Sequence, residues 1–170
     1  LIENFESITN ISSDPSNLER INRWSCALAM WQAKPFLGWG PGTYMFEYAP
    51  FQLAHNYTII STNFGDVGNA HSEYLGPLAE SGVLGFLIFL LIFIMTFYYA
   101  FRVYYKATLK NDKIYISTAA CALMTYFVHG IMNNYLDTDK ASVIFWFLIA
   151  VIIYFDIKYR QLKPKVIYEQ

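Results

Sequence analysis

The sequence predicts an all-α membrane protein in which a mostly helical external segment precedes three transmembrane helices. Three observations point there. The 170 residues are 55% hydrophobic and 19% aromatic, more than an ordinary soluble domain carries. That apolar content is concentrated in three segments, 83–101, 115–132 and 142–156, each bounded by polar residues. The net charge of -1 hides a strong asymmetry along the chain, from which orientation can be argued.

Residues 1–82 are the polar front. The stretch ending at Glu19 is a dense helix-start signal: Asp14 followed by Pro15 makes one cap, and Ser16 with Glu19 three residues on makes a capping box. A helix is expected over 16–33. Within it Leu18, Ile21, Trp24, Leu28 and Trp31 recur at three- and four-residue intervals, an apolar face suited to the membrane surface or to further helices. Arg20 precedes Trp24 by one turn, setting a guanidinium beside an amphipathic indole at the water–lipid boundary, where a lipid-linked phosphate would be presented. On spacing alone a surface arginine snorkelling past an aromatic anchor is the simpler reading.

The run from Pro35 to Tyr44 holds three glycines and two prolines, which forbid regular helix and leave backbone N–H groups able to face a ligand. It lacks the Lys-Ser/Thr ending of a P-loop and the strand context of a dinucleotide fingerprint, so alone it reads as a tight turn. Residues 45–68 show no clear period, include the small Phe64 to Gly68 stretch, and read as a mobile lid or substrate loop. A second helix is expected over 70–82, kinked around Pro77 and ended by Gly82. His71 falls in its first turn, where the helix dipole favours the neutral imidazole that a general base requires, and Tyr74 shares its face. An isolated histidine there is more simply a cap near the headgroups.

The apolar segments follow. Residues 83–101 are apolar apart from Thr96 and two tyrosines, and nineteen helical residues at about 1.5 Å each cover a hydrocarbon core of roughly 30 Å. Residues 115–132 and 142–156 are expected as a transmembrane hairpin. The loop 102–114 carries Arg102, Lys106, Lys110 and Lys113 against Asp112, and the tail 157–170 carries Lys158, Arg160, Lys163 and Lys165 against Glu169, which makes both cytoplasmic by the positive-inside rule. The turn 133–141, with Asp137 and Asp139 against Lys140, and the front, with eight acids against Arg20, Arg23 and Lys34, fall on the opposite side. No basic start followed by an apolar core marks a signal peptide, and the chain begins with Leu1; the expectation is that upstream transmembrane helices precede it and that it is a C-terminal fragment of a polytopic protein. Cys26 and Cys121 suggest no disulfide framework.

Taken together, Arg20 four residues before Trp24, Pro35, the Gly38-Trp39-Gly40-Pro41-Gly42-Thr43-Tyr44 run, then His71-Ser72-Glu73-Tyr74-Leu75 with Ala79 to Gly82 following, resemble the large periplasmic loop of O-antigen ligases and polymerases. The order agrees, because in that family the loop is followed by a few last transmembrane helices. The resemblance covers essentially the whole chain. It implies a polytopic glycosyltransferase of the bacterial inner membrane, moving a glycan from an undecaprenyl-diphosphate carrier to an acceptor sugar of lipid A-core on the periplasmic side during lipopolysaccharide assembly.

By that likeness His71 is the acceptor-side base and Arg20 the counter-charge for the diphosphate as the glycosidic bond breaks, making them the catalytic pair. Arg23, Trp24, Gly40, Gly42, Tyr44, Glu73, Tyr74 and His129 are the substrate-binding candidates. His129, followed by Asn133, Asn134, Asp137, Asp139 and Lys140, lies near the external end of the second span, where ionisable groups are costly; lining the acceptor or lipid entrance and packing across the hairpin are equal readings. No His/Cys cluster offers a metal site, so no metal or cofactor is expected and arginine stands in as counter-charge. The implied partners are the lipid-linked donor, the lipid A-core or another glycan acceptor, membrane lipids and the missing N-terminal helices, without nucleic acid. Part of the diphosphate site is expected on those helices, leaving this fragment inactive alone. Alternatives are a polymerase joining lipid-linked repeat units, a ligase for protein or another surface acceptor and, from a different class, a transporter or non-catalytic membrane subunit, which leaves the Arg, Gly and His series unexplained.

Overall fold

The computed structural model describes residues 15–63 and 68–161. The described residues fold as helices without strands: α1 (Pro15–Ala33), the short α2 (Tyr44–Glu47), α3 (Leu75–Lys106), α4 (Lys110–His129) and α5 (Asp139–Gln161), with single 3-10 turns at Ala49–Phe51, Ala54–Asn56 and Tyr135–Asp137. The chain is thus an all-α protein. Two compact units divide it, Leu1–Leu90 with His129–Tyr135, and Leu91–Val128 with Leu136–Gln170.

In the first unit α1 begins at Pro15, whose fixed φ suits the first helical position; Asp14, the expected cap, lies outside the described residues. The helix buries the face that looks polar in sequence: Glu19, Asn22, Arg23, Cys26, Ala27 and Met30. Its apolar-looking face turns outward, with Ile21 and Leu28 exposed. The reason is that the loop after α2 brings polar partners to the buried face. Asn22 Nδ2 donates to Gln52 Oε1 (2.8 Å), Asn56 Nδ2 to Ser25 Oγ (3.1 Å), and Arg23 Nη2 to Thr62 Oγ1 (3.1 Å). Satisfied groups of this kind are buried at little cost, unpaired ones are not. The stretch read as a mobile lid is therefore hydrogen-bonded down onto α1 over its described part, while residues 64–67 lie outside the described residues. Cys26, Ala27, Met30, Tyr44, Tyr48, Ala70 and Ala79 form the core, with Trp39, Phe51 and Leu75 against it.

The helix α3 is apolar through most of its length but is broken at Gly82, where φ 66° and ψ -163° leave helical space. Pro77 sits near the helix start, where a missing N–H costs nothing, so the break falls at the glycine and not at the proline. Two described helices, α3 and α5, are long and apolar enough to cross a membrane. Both expose rows of large apolar side chains, such as Leu84, Leu87, Ile88 and Leu91 on α3 and Val143, Ile144, Trp146 and Phe147 on α5. Surfaces of that size are matched to lipid, not water. The chain is an all-α membrane protein.

In the second unit α4 lays Asp112, Ile116, Ala119, Leu123 and Phe127 along one buried stripe, and α5 buries Phe145, Ile152, Phe155, Asp156 and Tyr159. Phe127 meets Phe93 edge-on at 4.7 Å and Phe145 at 5.4 Å between ring centroids. At one end Asp112 Oδ2 accepts from Lys158 Nζ (2.6 Å) and from the Tyr159 hydroxyl (2.7 Å), and Asp156 pairs with Arg160 (2.8 Å). The α4 stretch reaches back to Lys110 across the polar residues before the apolar segment, because helix hydrogen bonding does not stop where apolar composition does.

Candidate functional site

The site lies in the first unit, where α1 meets the segment leading into α3. That segment does not start as the expected helix over 70–82. Ser72 caps the helix instead: its Oγ accepts from the N–H groups of Tyr74 and Leu75 (3.3 Å each) and its carbonyl from Gly76 (3.0 Å). His71 therefore stands just outside the helix, with φ 46°, in the left-handed region that non-glycine residues rarely occupy. Two bonds hold it there. Its N–H donates to Asn69 Oδ1 (3.0 Å), and its carbonyl accepts from Trp24 Nε1 (3.3 Å). Strained backbone at a half-buried histidine, fixed by a tryptophan from another helix, is the kind of arrangement that functional positions retain.

The imidazole is held below its ordinary pKa of 6.5, first by burial and then by the positive charges of Arg20 and Arg23, against a weaker opposite pull from Glu19. The neutral form is thus favoured near neutral pH, for a reason different from the helix dipole invoked from sequence. Arg20 is half-buried and its Nη1 donates to Asn17 Oδ1 (3.1 Å), one turn back.

Arg23 is buried. Its Nε pairs with Glu19 Oε1 at 2.6 Å, and its guanidinium stacks on the Tyr48 ring, 4.1 Å from the centroid. Nη1 is buried and has no hydrogen-bond partner among the described residues. Gly68 lies beside it, where an added Cβ would come within 3.1 Å of Nη1 and 2.5 Å of the Tyr48 ring. Burial raises the Glu19 carboxyl, but bonds from Ser61, Arg23 and Thr58 and the Arg23 charge outweigh it and leave the group below its ordinary value. Glu19, Tyr48, Thr58, Ser61, Thr62 and Gly68 were not named as site residues from the sequence. Only the one-turn spacing of Glu19 and Arg23 was a visible signal there.

The remaining candidates divide. Trp24 joins the site through His71. Tyr44 is core: 3% exposed, with its hydroxyl donating to the Arg23 carbonyl (2.7 Å) and its ring stacked on Tyr48 at 5.5 Å. The glycine run does not present open amides. Gly40 N–H donates to the Glu80 carbonyl (2.7 Å), and the N–H groups of Gly42 and Tyr44 both donate to the Glu80 carboxylate (2.9 Å each). This loop welds the helix before Gly82 to the end of α1, and the amides read as a ligand cradle are spent on the chain's own acid. Glu73 is buried, and its N–H donates to the Gly130 carbonyl (2.8 Å), which ties the turn after α4 to the His71 segment. Tyr74 meets Phe89 edge-on at 5.2 Å. His129 is exposed, its carbonyl accepting from Met132 N–H (3.1 Å).

Fold and candidate site together define an all-α membrane protein that sets a histidine, held below its ordinary pKa, in the field of two arginines. The family described as O-antigen ligase matches residues 1–90, just over half of the 170, and the chain belongs to that family. Membership makes it a glycosyltransferase-like membrane enzyme of the ligase and polymerase group, working between a lipid-linked glycan donor and a glycan acceptor. No curated protein and no solved structure matches the chain.

Proposed function

We propose that this chain carries the acceptor-activating and diphosphate-gripping loop of an O-antigen ligase, transferring a glycan from undecaprenyl diphosphate to a sugar hydroxyl of lipid A-core at the periplasmic face of the bacterial inner membrane. The observation that carries the reading is the placement of a neutral-favoured, half-buried His71 within the electrostatic reach of Arg20 and Arg23. Neutral His71 takes the proton of the acceptor hydroxyl as its oxygen attacks the anomeric carbon. The bond from that carbon to the diphosphate breaks, and the negative charge left on the diphosphate is met by Arg20, with no metal required. Arg23 adds its positive charge to the field around the same site.

Glycolipid profiling of cells whose full-length protein carries His71→Ala tests this. Long lipid-linked polymer accumulating beside bare lipid A-core is the expected result. Accumulation of single lipid-linked repeats would instead make the protein a polymerase, and an unchanged profile would remove His71 from the chemistry.

A further inference from the structure

Pro35, Phe36 and Leu37 form the tip of a turn that closes with the N–H of Gly38 donating to the carbonyl of Lys34 (3.1 Å). Phe36 and Leu37 are 72% and 74% exposed, an expensive way to place two large apolar side chains in water. The turn is locked to one point on α3. Val83 N–H donates to the Pro35 carbonyl (2.8 Å), and Gly82 lies so close to the backbone of Phe36 and Leu37 that no methyl group fits between them. That point is where the apolar run of α3 begins, with Leu84, Leu87 and Ile88 exposed directly after it. Beside the turn, Lys34 is exposed and its Nζ sits 3.7 Å over the Trp39 ring, a cation and an indole at the same level.

From this placement we propose that Phe36 and Leu37 are inserted into the membrane as an interfacial anchor, with Lys34 at the level of the lipid phosphates. The hydrogen bond and the close approach at Gly82 fix the depth of the tip relative to the first turn of the span. Side chains held there enter the boundary between headgroups and acyl chains, which amphipathic elements occupy to a depth of about 5–10 Å. The lipid-facing surface of α3 thereby continues onto the Phe36–Leu37 turn. A cation and an indole flanking such a tip match the composition of membrane boundaries. The consequence for the site is geometric: through α1, which ends just before this turn, the Arg20 and Trp24 helix is held at a set height above the lipid.

The test uses the full-length protein in nanodiscs of phosphatidylethanolamine and phosphatidylglycerol. Leu37→Cys is labelled with an environment-sensitive nitrobenzoxadiazole in a Cys121→Ser background, since Cys26 is fully buried and the new thiol is then the accessible one of these positions. Phe36→Cys serves as a second position should the first label disturb the turn. The expected result is blue-shifted emission, strong quenching by lipids spin-labelled high on the acyl chain, and several-fold weaker quenching by aqueous iodide. Iodide quenching without lipid quenching would place the tip in water and overturn the proposal. Protection from both quenchers would mean that protein covers the tip, and would overturn it equally.

Discussion

Glu19 and Arg23 stand one turn apart on α1 and bury opposite charges against each other, Nε to Oε1 at 2.6 Å, with side chains 8% and 3% exposed. Removing one partner of such a pair leaves an uncompensated buried charge, which costs about 3 kcal/mol or more. Glu19→Ala is therefore expected to loosen the packing of α1 on its loop. Cys26 reports on it, being 0% exposed with its thiol pushed up to about 11 by burial. The expected outcome is a rise of roughly 100-fold in maleimide alkylation of Cys26 near neutral pH, following a local opening cost lowered by about 3 kcal/mol. An unchanged rate would mean that the pair adds nothing to this packing.

The pH dependence of transfer should follow His71. Because its pKa lies below 6.5, the base form is present at neutral pH, and activity falls as pH drops through that lowered value. Burial is the largest cause and stays in place in Arg20→Gln; the Arg20 charge, which also lowers the pKa, is removed. The acid limb of the rate profile should then move to higher pH, toward 6.5, while the rate on the plateau drops. A pH–rate series on the purified full-length pair of proteins checks this. An acid limb that stays put while the rate falls would separate Arg20 from the histidine.

The membrane class was legible because lipid-facing helices need long apolar runs whatever they pack against, and residues 83–101 carry one. In sequence Arg20, Trp24 and His71 appear together only as members of one ordered series. What joins the last two, the Trp24 indole donating to the His71 carbonyl, is a contact across 47 residues that no periodicity announces. One local argument failed for the same physical reason. The amides of Gly42 and Tyr44 looked open because Glu80 is 38 and 36 residues away. Which face of α1 packs on the loop was not readable either, because Gln52, Thr58 and Ser61, which satisfy its polar groups, come from a stretch without period. The helix start was displaced from His71 by Ser72, whose side chain caps it.

Substitutions at the glycines of the weld should separate sharply. Gly82 has φ 66°, and a Cβ there would run into the carbonyl of Phe36. Backbone strain of ~1–3 kcal/mol then adds to overpacking of similar size, since neither segment has a flexible side chain to move aside. Gly42 has φ 73° but open space around it, so Gly42→Ala costs only ~1 kcal/mol. The expected outcome is that Gly82→Ala sharply reduces the yield of monodisperse protein extracted in mild detergent, whereas Gly42→Ala lowers the unfolding temperature by a few degrees. Equal behaviour of the two would contradict the weld.

Trp24→Phe isolates the role of the indole N–H. The ring is retained, but the donor that reaches the His71 carbonyl at 3.3 Å is lost. The carbonyl belongs to a residue at φ 46°, a conformation that needs such bonds to persist. Without the donor, His71 samples the ordinary backbone region and its imidazole leaves the field of the arginines for part of the time. A neutral hydrogen bond of this kind is worth about 1 kcal/mol, so kcat should fall roughly fivefold with KM little changed. Because Trp24 acts by positioning His71, the midpoint of the acid limb should also rise toward 6.5 as the imidazole loses burial. A loss of activity that appears wholly in KM would place Trp24 against the substrate instead.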